Sequence, residues 1–219
     1  MRRWLWLNGL ALVTFGAFAV FLVGQSLVGW QAYNDELSHL GAPTLGYLAY
    51  LSSGHFVEAT AENWESEFLQ MGAYVLLTAF LVQRGSPESN PPDQPPDDDP
   101  TDPKQVKPDS PAPVHRGGLL LALYQNSLSI ALFGLFAVSF VLHLMGGTAE
   151  ENVQRQAEGE PTISPGEFLR TSHFWFQSLQ NWQSEFLAVG VLIVGTIFLR
   201  QRGSAQSKKV AEPHTSSGG

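Results

Sequence analysis

Apolar residues dominate four stretches of the chain, Leu10 to Val28, Phe68 to Val82, Leu119 to Met145 and Phe186 to Leu199, and polar segments separate them. The first and third stretches are long enough to cross a bilayer as helices, the first being interrupted by little beyond Thr14, Gln25 and Ser26. The second and fourth are short for a span, at about 15 residues each. Each, however, closes a proline-free run, His55 to Gln83 and His173 to Gln201. Such a run predicts one helix of about 43 Å against a hydrocarbon core of about 30 Å, so its first turns stand outside the lipid tails.

The pattern occurs twice. Asn63-Trp64-Glu65-Ser66-Glu67-Phe68-Leu69 returns 118 positions later as Asn181-Trp182-Gln183-Ser184-Glu185-Phe186-Leu187, and residues 8–86 align with 126–204 without a gap. Phe15-Gly16-Ala17-Phe18-Ala19-Val20 matches Phe133-Gly134-Leu135-Phe136-Ala137-Val138 in the same way. The N-terminal apolar stretch is therefore expected to be retained as a span rather than cleaved as a signal peptide, because its copy lies far inside the chain. Gly16/Gly134 and Gly72/Gly190 are matched small residues on spanning segments and are expected at packing seams.

Residues 30–53 are polar and turn-rich and are expected to form a loop with a short interfacial helix. In the second copy Ser164-Pro165-Gly166-Glu167 combines an N-cap serine, a proline at the first helical position and a glutamate three residues after the cap. That capping box predicts a short helix carrying Phe168 and Leu169. Gln83-Arg84-Gly85-Ser86 and Gln201-Arg202-Gly203-Ser204 close the long helices, the arginine meeting the negative helix end and the glycine supplying the turn. Arg2, Arg3, Arg84, Lys104, Lys107, Arg116, Arg200, Arg202, Lys208 and Lys209 fall on one side of the expected spans, with only Arg155 and Arg170 opposite. The positive-inside rule makes that side the cytoplasm and places both termini there.

Composition changes the picture mainly by what it excludes. Mean hydropathy is −0.02, an average of apolar halves and a very polar middle. Much of the formal net charge of −8 lies in the Pro- and Asp-rich segment 87–115, which buries no apolar surface and is expected to be a disordered tether. Acidity confined to a tether speaks against nucleic acid as a partner. The absence of cysteine excludes disulfides, thiolate metal sites and thiol redox chemistry.

Candidate chemistry gathers on the long helices. His55, Asn63, Ser66 and Glu67 fall broadly on one helical face, and His173, Asn181, Ser184 and Glu185 repeat them. A carboxylate at the edge of a span favours protein or water over hydrocarbon, which singles out Glu67 and Glu185. His143 stands at the outer end of the third span, where the first copy has Gln25. A metal site of His143 with the two glutamates lacks the Glu-x-x-His signature of di-iron bundles, and His55 stands about 18 Å along the helix from Glu67, so no metal is expected. There is no Gly-rich phosphate loop, no nucleophile elbow and no His-Glu-x-x-His, so neither an enzymatic activity nor a cofactor is expected. Trp4, Trp6, Trp64, Trp175 and Trp182 are explained by aromatic belts at the two interfaces.

Taken with the flanking segments Asn8-Gly9-Leu10, Val23-Gly24-Gln25-Ser26 and Ser53-Gly54-His55-Phe56, the Asn-Trp-x-Ser-Glu-Phe-Leu and Gln-Arg-Gly-Ser motifs resemble those of an uncharacterised family of small bacterial multi-pass membrane proteins known only as a domain of unknown function. The resemblance implies a bacterial membrane protein and carries no activity. The expected fold is all-α: an integral membrane four-helix bundle of two parallel two-span repeats with short interfacial loop helices. Residues 1–86 form the first repeat, 87–115 the linker, 116–204 the second repeat and 205–219 a disordered tail. The expected setting is the cell membrane, with the lipid bilayer and a membrane or envelope protein as partners. The expected role is a structural or interaction protein of the envelope, the alternative being a small transporter or channel using Glu67 and Glu185. If the linker is only a tether, deleting residues 90–110 leaves expression and thermal stability within error of the parent chain in a detergent-solubilised melt, since loop length alone costs little; a large loss of assembled protein would show that the segment packs.

Overall fold

The computed structural model describes residues 2–91, 102 and 105–217. It is helical, with no strand among the described residues. In chain order the helices are α1 (Arg2–Leu7), α2 (Gly9–His39), α3 (Tyr47–Tyr50), α4 (Gly54–Phe80), α5 (Ala112–Arg116), α6 (Gly118–Gln125), α7 (Ser127–Ala157), α8 (Pro165–Phe168) and α9 (Ser172–Phe198). The bounds of α2, α3 and α4 recur 118 positions later in α7, α8 and α9. The Pro- and Asp-rich core of the expected linker lies outside the described residues.

Three helices, Gly9–His39, Ser127–Ala157 and Ser172–Phe198, are long and apolar enough to cross a membrane. Their surfaces are inverted relative to a water-soluble helix: Leu10 is 86% exposed and Phe21 74%, while Ser26 and Ser139 are buried. Such a surface suits a hydrocarbon solvent. Helix α4 has 27 residues but is not among the three. Glu58, Glu62, Glu65 and Glu67 dilute its apolar character.

Local chemistry repeats as closely as the helix bounds. Asn8 breaks α1 from α2, its Nδ2 donating to the Trp4 carbonyl at 2.8 Å, and Asn126 does the same to Ala122 at 2.8 Å. Residues 30–39, expected in the loop, instead continue α2, because nothing disfavours the helix before Gly41, which stops it at φ +69°. Beyond it Asn34 clamps Leu45, accepting from its N–H at 2.7 Å and donating to its carbonyl at 2.9 Å. Asn152 clamps Ile163 at the same two distances. The capping box forms as its residues predict. Ser164 N donates to Glu167 Oε2 at 2.7 Å, and Glu167 N donates to Ser164 Oγ at 3.3 Å. These bonds from Ser164 hold the exposed Glu167 carboxyl below the usual carboxylate range.

The chain divides into two compact units, one of Met1–Glu62 with Phe140–Trp175 and one of Asn63–Ser139 with Phe176–Gly219. In the first, α4 and α7 meet through glycine. A Cβ on Gly54 would lie 2.7 Å from the Gly146 carbonyl oxygen, and one on Gly146 would lie 2.6 Å from the Glu58 nitrogen. The backbones touch directly, and only glycine permits it. Of the four matched glycines expected at seams, only Gly72 has a neighbour that an added Cβ would meet, the Phe133 ring at 3.3 Å in the second unit; Gly16, Gly134 and Gly190 face open space.

In the second unit the tail after α9 folds back as turns. Arg200 Nη2 donates to the Glu212 carbonyl at 3.1 Å, and the Gly85 N–H donates to Ser217 Oγ at 2.7 Å. Gly146→Ala is expected to lower stability by about 1–3 kcal/mol through overpacking, whereas Gly16→Ala, with nothing within 4 Å, leaves the thermal midpoint unchanged; equal melting of the two variants would show that the glycine contact does not hold the first unit.

Candidate functional site

The buried face of α4 is acidic. Gly54, Glu58, Ala61 and Glu65 follow one another at spacings of four, three and four, which places them on one side of the helix. Glu58, Ala61 and Glu65 are 8%, 2% and 0% exposed. A carboxylate in such a position costs several kcal/mol unless partners replace its water, so its neighbours define what it can do.

Within the first unit the neighbours are aromatic and acidic. Tyr33 on α2 is buried and donates its hydroxyl to Glu150 Oε2 of α7 at 2.8 Å. The Tyr33 ring stacks on His55 with centroids 4.5 Å apart, and His55 Nδ1 lies 3.2 Å from the Tyr50 hydroxyl. Tyr50 is 1% exposed. Burial first, and the nearby Glu150 second, push its hydroxyl above the usual tyrosine range, so it keeps its proton at neutral pH. Gly147 gives the site its compactness. A Cβ there would stand 2.9 Å from Glu58 Oε1 and 2.6 Å from the Phe168 ring. Tyr33 also lines an open cleft of about 560 Å³ with Leu37, Leu40, Pro43, Val153 and Gln156. The cleft thus reaches the residue that hydrogen-bonds Glu150.

Within the second unit, Glu65 is fully buried and its Oε1 accepts from Trp182 Nε1 at 3.0 Å. The indole packs edge-on against Phe136, with centroids 6.3 Å apart. An indole held by a carboxylate at one end and by an aromatic ring set across it has little freedom left.

The residues singled out from sequence are distributed between these settings. Ser66 is buried, yet its hydroxyl is used on the Asn63 carbonyl at 2.8 Å; Ser184 repeats that bond to Asn181 at 2.8 Å from an exposed position. Asn63 is exposed, and half-buried Asn181 donates to the Gln177 carbonyl at 3.2 Å. His55 belongs to the first-unit cluster. His173, its equivalent, is exposed with Nδ1 3.3 Å from Glu151 Oε2. His143 is fully buried and stacked on Phe174 at 4.8 Å, whereas its equivalent Gln25 is exposed. Glu67 is exposed and Glu185 half-buried; both belong to the second unit, where they lie within electrostatic reach of one another, and His143 belongs to the first. Among the described residues no group of three or more His, Asp or Glu is arranged to hold a metal ion.

Sequence reasoning missed Glu58, Glu65, Glu150, Tyr33 and Tyr50. Two signals were present: the spacing of Glu58 and Glu65 from Gly54, and the failure of these positions to repeat. The duplication pairs Glu58 with Phe176, Glu65 with Gln183, Glu150 with Ala32, Tyr33 with Glu151 and Tyr50 with Phe168. Removing the indole N–H tests the second of these settings. Trp182→Phe is expected to destabilise by about 1–3 kcal/mol, because a buried carboxylate loses one donor. In the Glu65→Gln background the same change is expected to cost measurably less, and additive losses in a double-mutant cycle would show the two side chains to be energetically independent.

The whole chain, residues 1–219, matches the model of a family described as a domain of unknown function, DUF6766, and the protein belongs to that family. No curated protein and no solved structure matches it.

Proposed function

We propose that this member of the family is a multi-pass protein of the bacterial cell membrane that moves protons or a small cation, with Tyr33 and Glu150 as the transfer pair. The observation that carries the reading is the cleft of about 560 Å³ whose wall includes Tyr33, the donor to buried Glu150 at 2.8 Å. Ionisable groups held inside a protein whose outer surface is apolar mark conduction paths and proton relays more often than scaffolding, because their burial is costly. In this reading α4 is the fourth span, its acidic face shielded by protein. The two halves are parallel two-span repeats joined by a cytoplasmic linker, and the arginine and lysine distribution supports termini on the cytoplasmic side. The protein is not an enzyme and needs no cofactor; its standing partner is the lipid bilayer.

Glu67 and Glu185, which lie within electrostatic reach of one another in the second unit, are the alternative working pair. A structural or interaction role in the envelope makes the opposite prediction to transport. The full chain is reconstituted in liposomes carrying a pH gradient, and dissipation is followed with a trapped pH dye. The parent chain is expected to collapse the gradient faster than protein-free liposomes, Glu150→Gln to slow it at least about tenfold as for loss of an essential proton carrier, and Tyr33→Phe to slow it less. Glu67→Gln is expected to leave the rate near that of the parent. Parent and Glu150→Gln proteoliposomes that leak no faster than empty ones, with the variant melting like the parent, would reject transport and leave the structural role.

A further inference from the structure

The two Gln-Arg-Gly-Ser loops share a scaffold but differ in charge. After α4, the Gln83 N–H donates to Ser89 Oγ at 2.8 Å, the Glu88 N–H donates to Ser86 Oγ at 3.1 Å, and Ser89 Oγ donates to the Asn90 carbonyl at 3.2 Å. After α9, the Gln201 N–H donates to Ser207 Oγ at 2.8 Å, the Gln206 N–H donates to Ser204 Oγ at 3.1 Å, and Ser207 Oγ donates to the Lys208 carbonyl at 3.2 Å. Gly85 and Gly203 supply the turn in each, at φ +86° and +85°. On this common frame the first loop carries Glu88, Asn90 and Pro91 where the second carries Gln206, Lys208 and Lys209. The second loop has lost a carboxylate and gained two cations without altering its fold.

Those cations surround a cavity of about 410 Å³ lined by Arg202, Ser204, Ser207, Lys208 and Lys209 together with the Gly203 turn. Lys208 is only 2% exposed, its ammonium anchored on the Pro213 and His214 carbonyls at 3.3 and 3.0 Å. Burial first, and Arg200 second, hold its pKa below that of an ordinary lysine. The carboxylate of this segment, Glu212, accepts from the Ser216 hydroxyl at 2.6 Å; that bond first, and the nearby charges of Lys208 and Lys209 after it, hold it below the usual carboxylate range, so one carboxylate stands against the three cations of the loop. Arg202 and Lys209 are exposed and form no ion pair among the described residues. The region follows directly on an apolar helix long enough to cross a membrane, and basic groups so placed recognise anionic headgroups in the cytoplasmic leaflet.

We infer that the loop from Gln201 to Val210 is a phosphate-binding site, holding the phosphodiester of an anionic lipid headgroup or a free phosphate between Arg202, Lys208 and Lys209. Ser204 lines the same space, while the Ser207 hydroxyl is spent on the Lys208 carbonyl and holds the loop in shape. The equivalent loop after α4, with Glu88 in place of Gln206, binds no such group.

Native mass spectrometry of the detergent-solubilised full chain tests the site by counting bound lipid. The parent chain is titrated with phosphatidylglycerol and with phosphatidylcholine, each with and without inorganic phosphate. Phosphatidylglycerol is expected to bind at least tenfold more tightly than phosphatidylcholine. The Arg202→Gln/Lys209→Gln variant alters only exposed side chains, so it keeps the fold, and it is expected to weaken the anionic lipid by about fivefold for each cation removed. Arg84→Gln, in the other loop, is expected to have no effect. Competition by inorganic phosphate that depends on Arg202 and Lys209 assigns the site to small phosphates as well, whereas an unchanged lipid preference in its presence assigns it to the headgroup. Equal binding of the two lipids, or an Arg202→Gln/Lys209→Gln variant indistinguishable from the parent, overturns the inference.

Discussion

Direct backbone contact between α4 and α7 is the constraint on which the first unit depends. With Gly54, Gly146 and Gly147 at the crossing, no side chain separates the helices, and the residues one turn along, Glu58 and Glu150, are carried into the interior with them. Small residues permit such an approach in any solvent, but in a membrane protein the approach matters more, because helix association there relies on packing and hydrogen bonds rather than on expulsion of water. The glycines and the acids are thus one arrangement. Larger residues at the crossing would separate the helices and leave Glu150 without the Tyr33 hydroxyl that now meets it.

The same inversion runs through the rest of the chain. Leucine, valine and phenylalanine of α2, α7 and α9 face outward, while serine, histidine and glutamate of those helices and of α4 are covered. In water that pattern would be unstable, since exposed apolar area is disfavoured by about 25 cal/mol per Å². In hydrocarbon the penalty disappears, and the polar groups, which have nowhere else to go, find one another. The Tyr33 to Glu150 bond, the stacked Tyr33 and His55 rings and the Trp182 to Glu65 bond are each examples.

How much of this was legible in the sequence depended on whether it was repeated. Helices, the short helix at Pro165–Phe168 and the glycine turns at Gly85 and Gly203 all rest on local chemistry that the duplication displays twice. The site rests on positions that diverged: Glu150 faces Ala32 in the alignment, and Tyr33 faces Glu151. Matching the halves therefore drew attention to Glu67 and Glu185, which are conserved between them, and away from Glu65, which is not. Two residues along a helix is a rotation of about 200°, enough to exchange the covered face for the exposed one. Only the three-dimensional position of Trp182, which donates to Glu65, tells which of the two glutamates is inside. The extension of α2 to His39 was hidden for a different reason, since polar residues such as Asn34, Asp35 and Glu36 tolerate a helix without announcing it.

The paired asparagine clamps bear on the order in which the molecule comes together. Asn34 closes on Leu45, and Asn152 on Ile163, across only eleven residues of chain, so each helix, its loop and the start of the next helix are tied by contacts that need no other part of the protein. Short-range closure is fast and its entropic cost is small. A nascent chain leaving the ribosome can therefore set its first hairpin while the linker is still being translated, and repeat the step for the second with the same geometry. The residues that must find partners across the two halves, Glu150 from the second and Tyr33 from the first, would then be joined last, when two hairpins already shaped by their own asparagines meet.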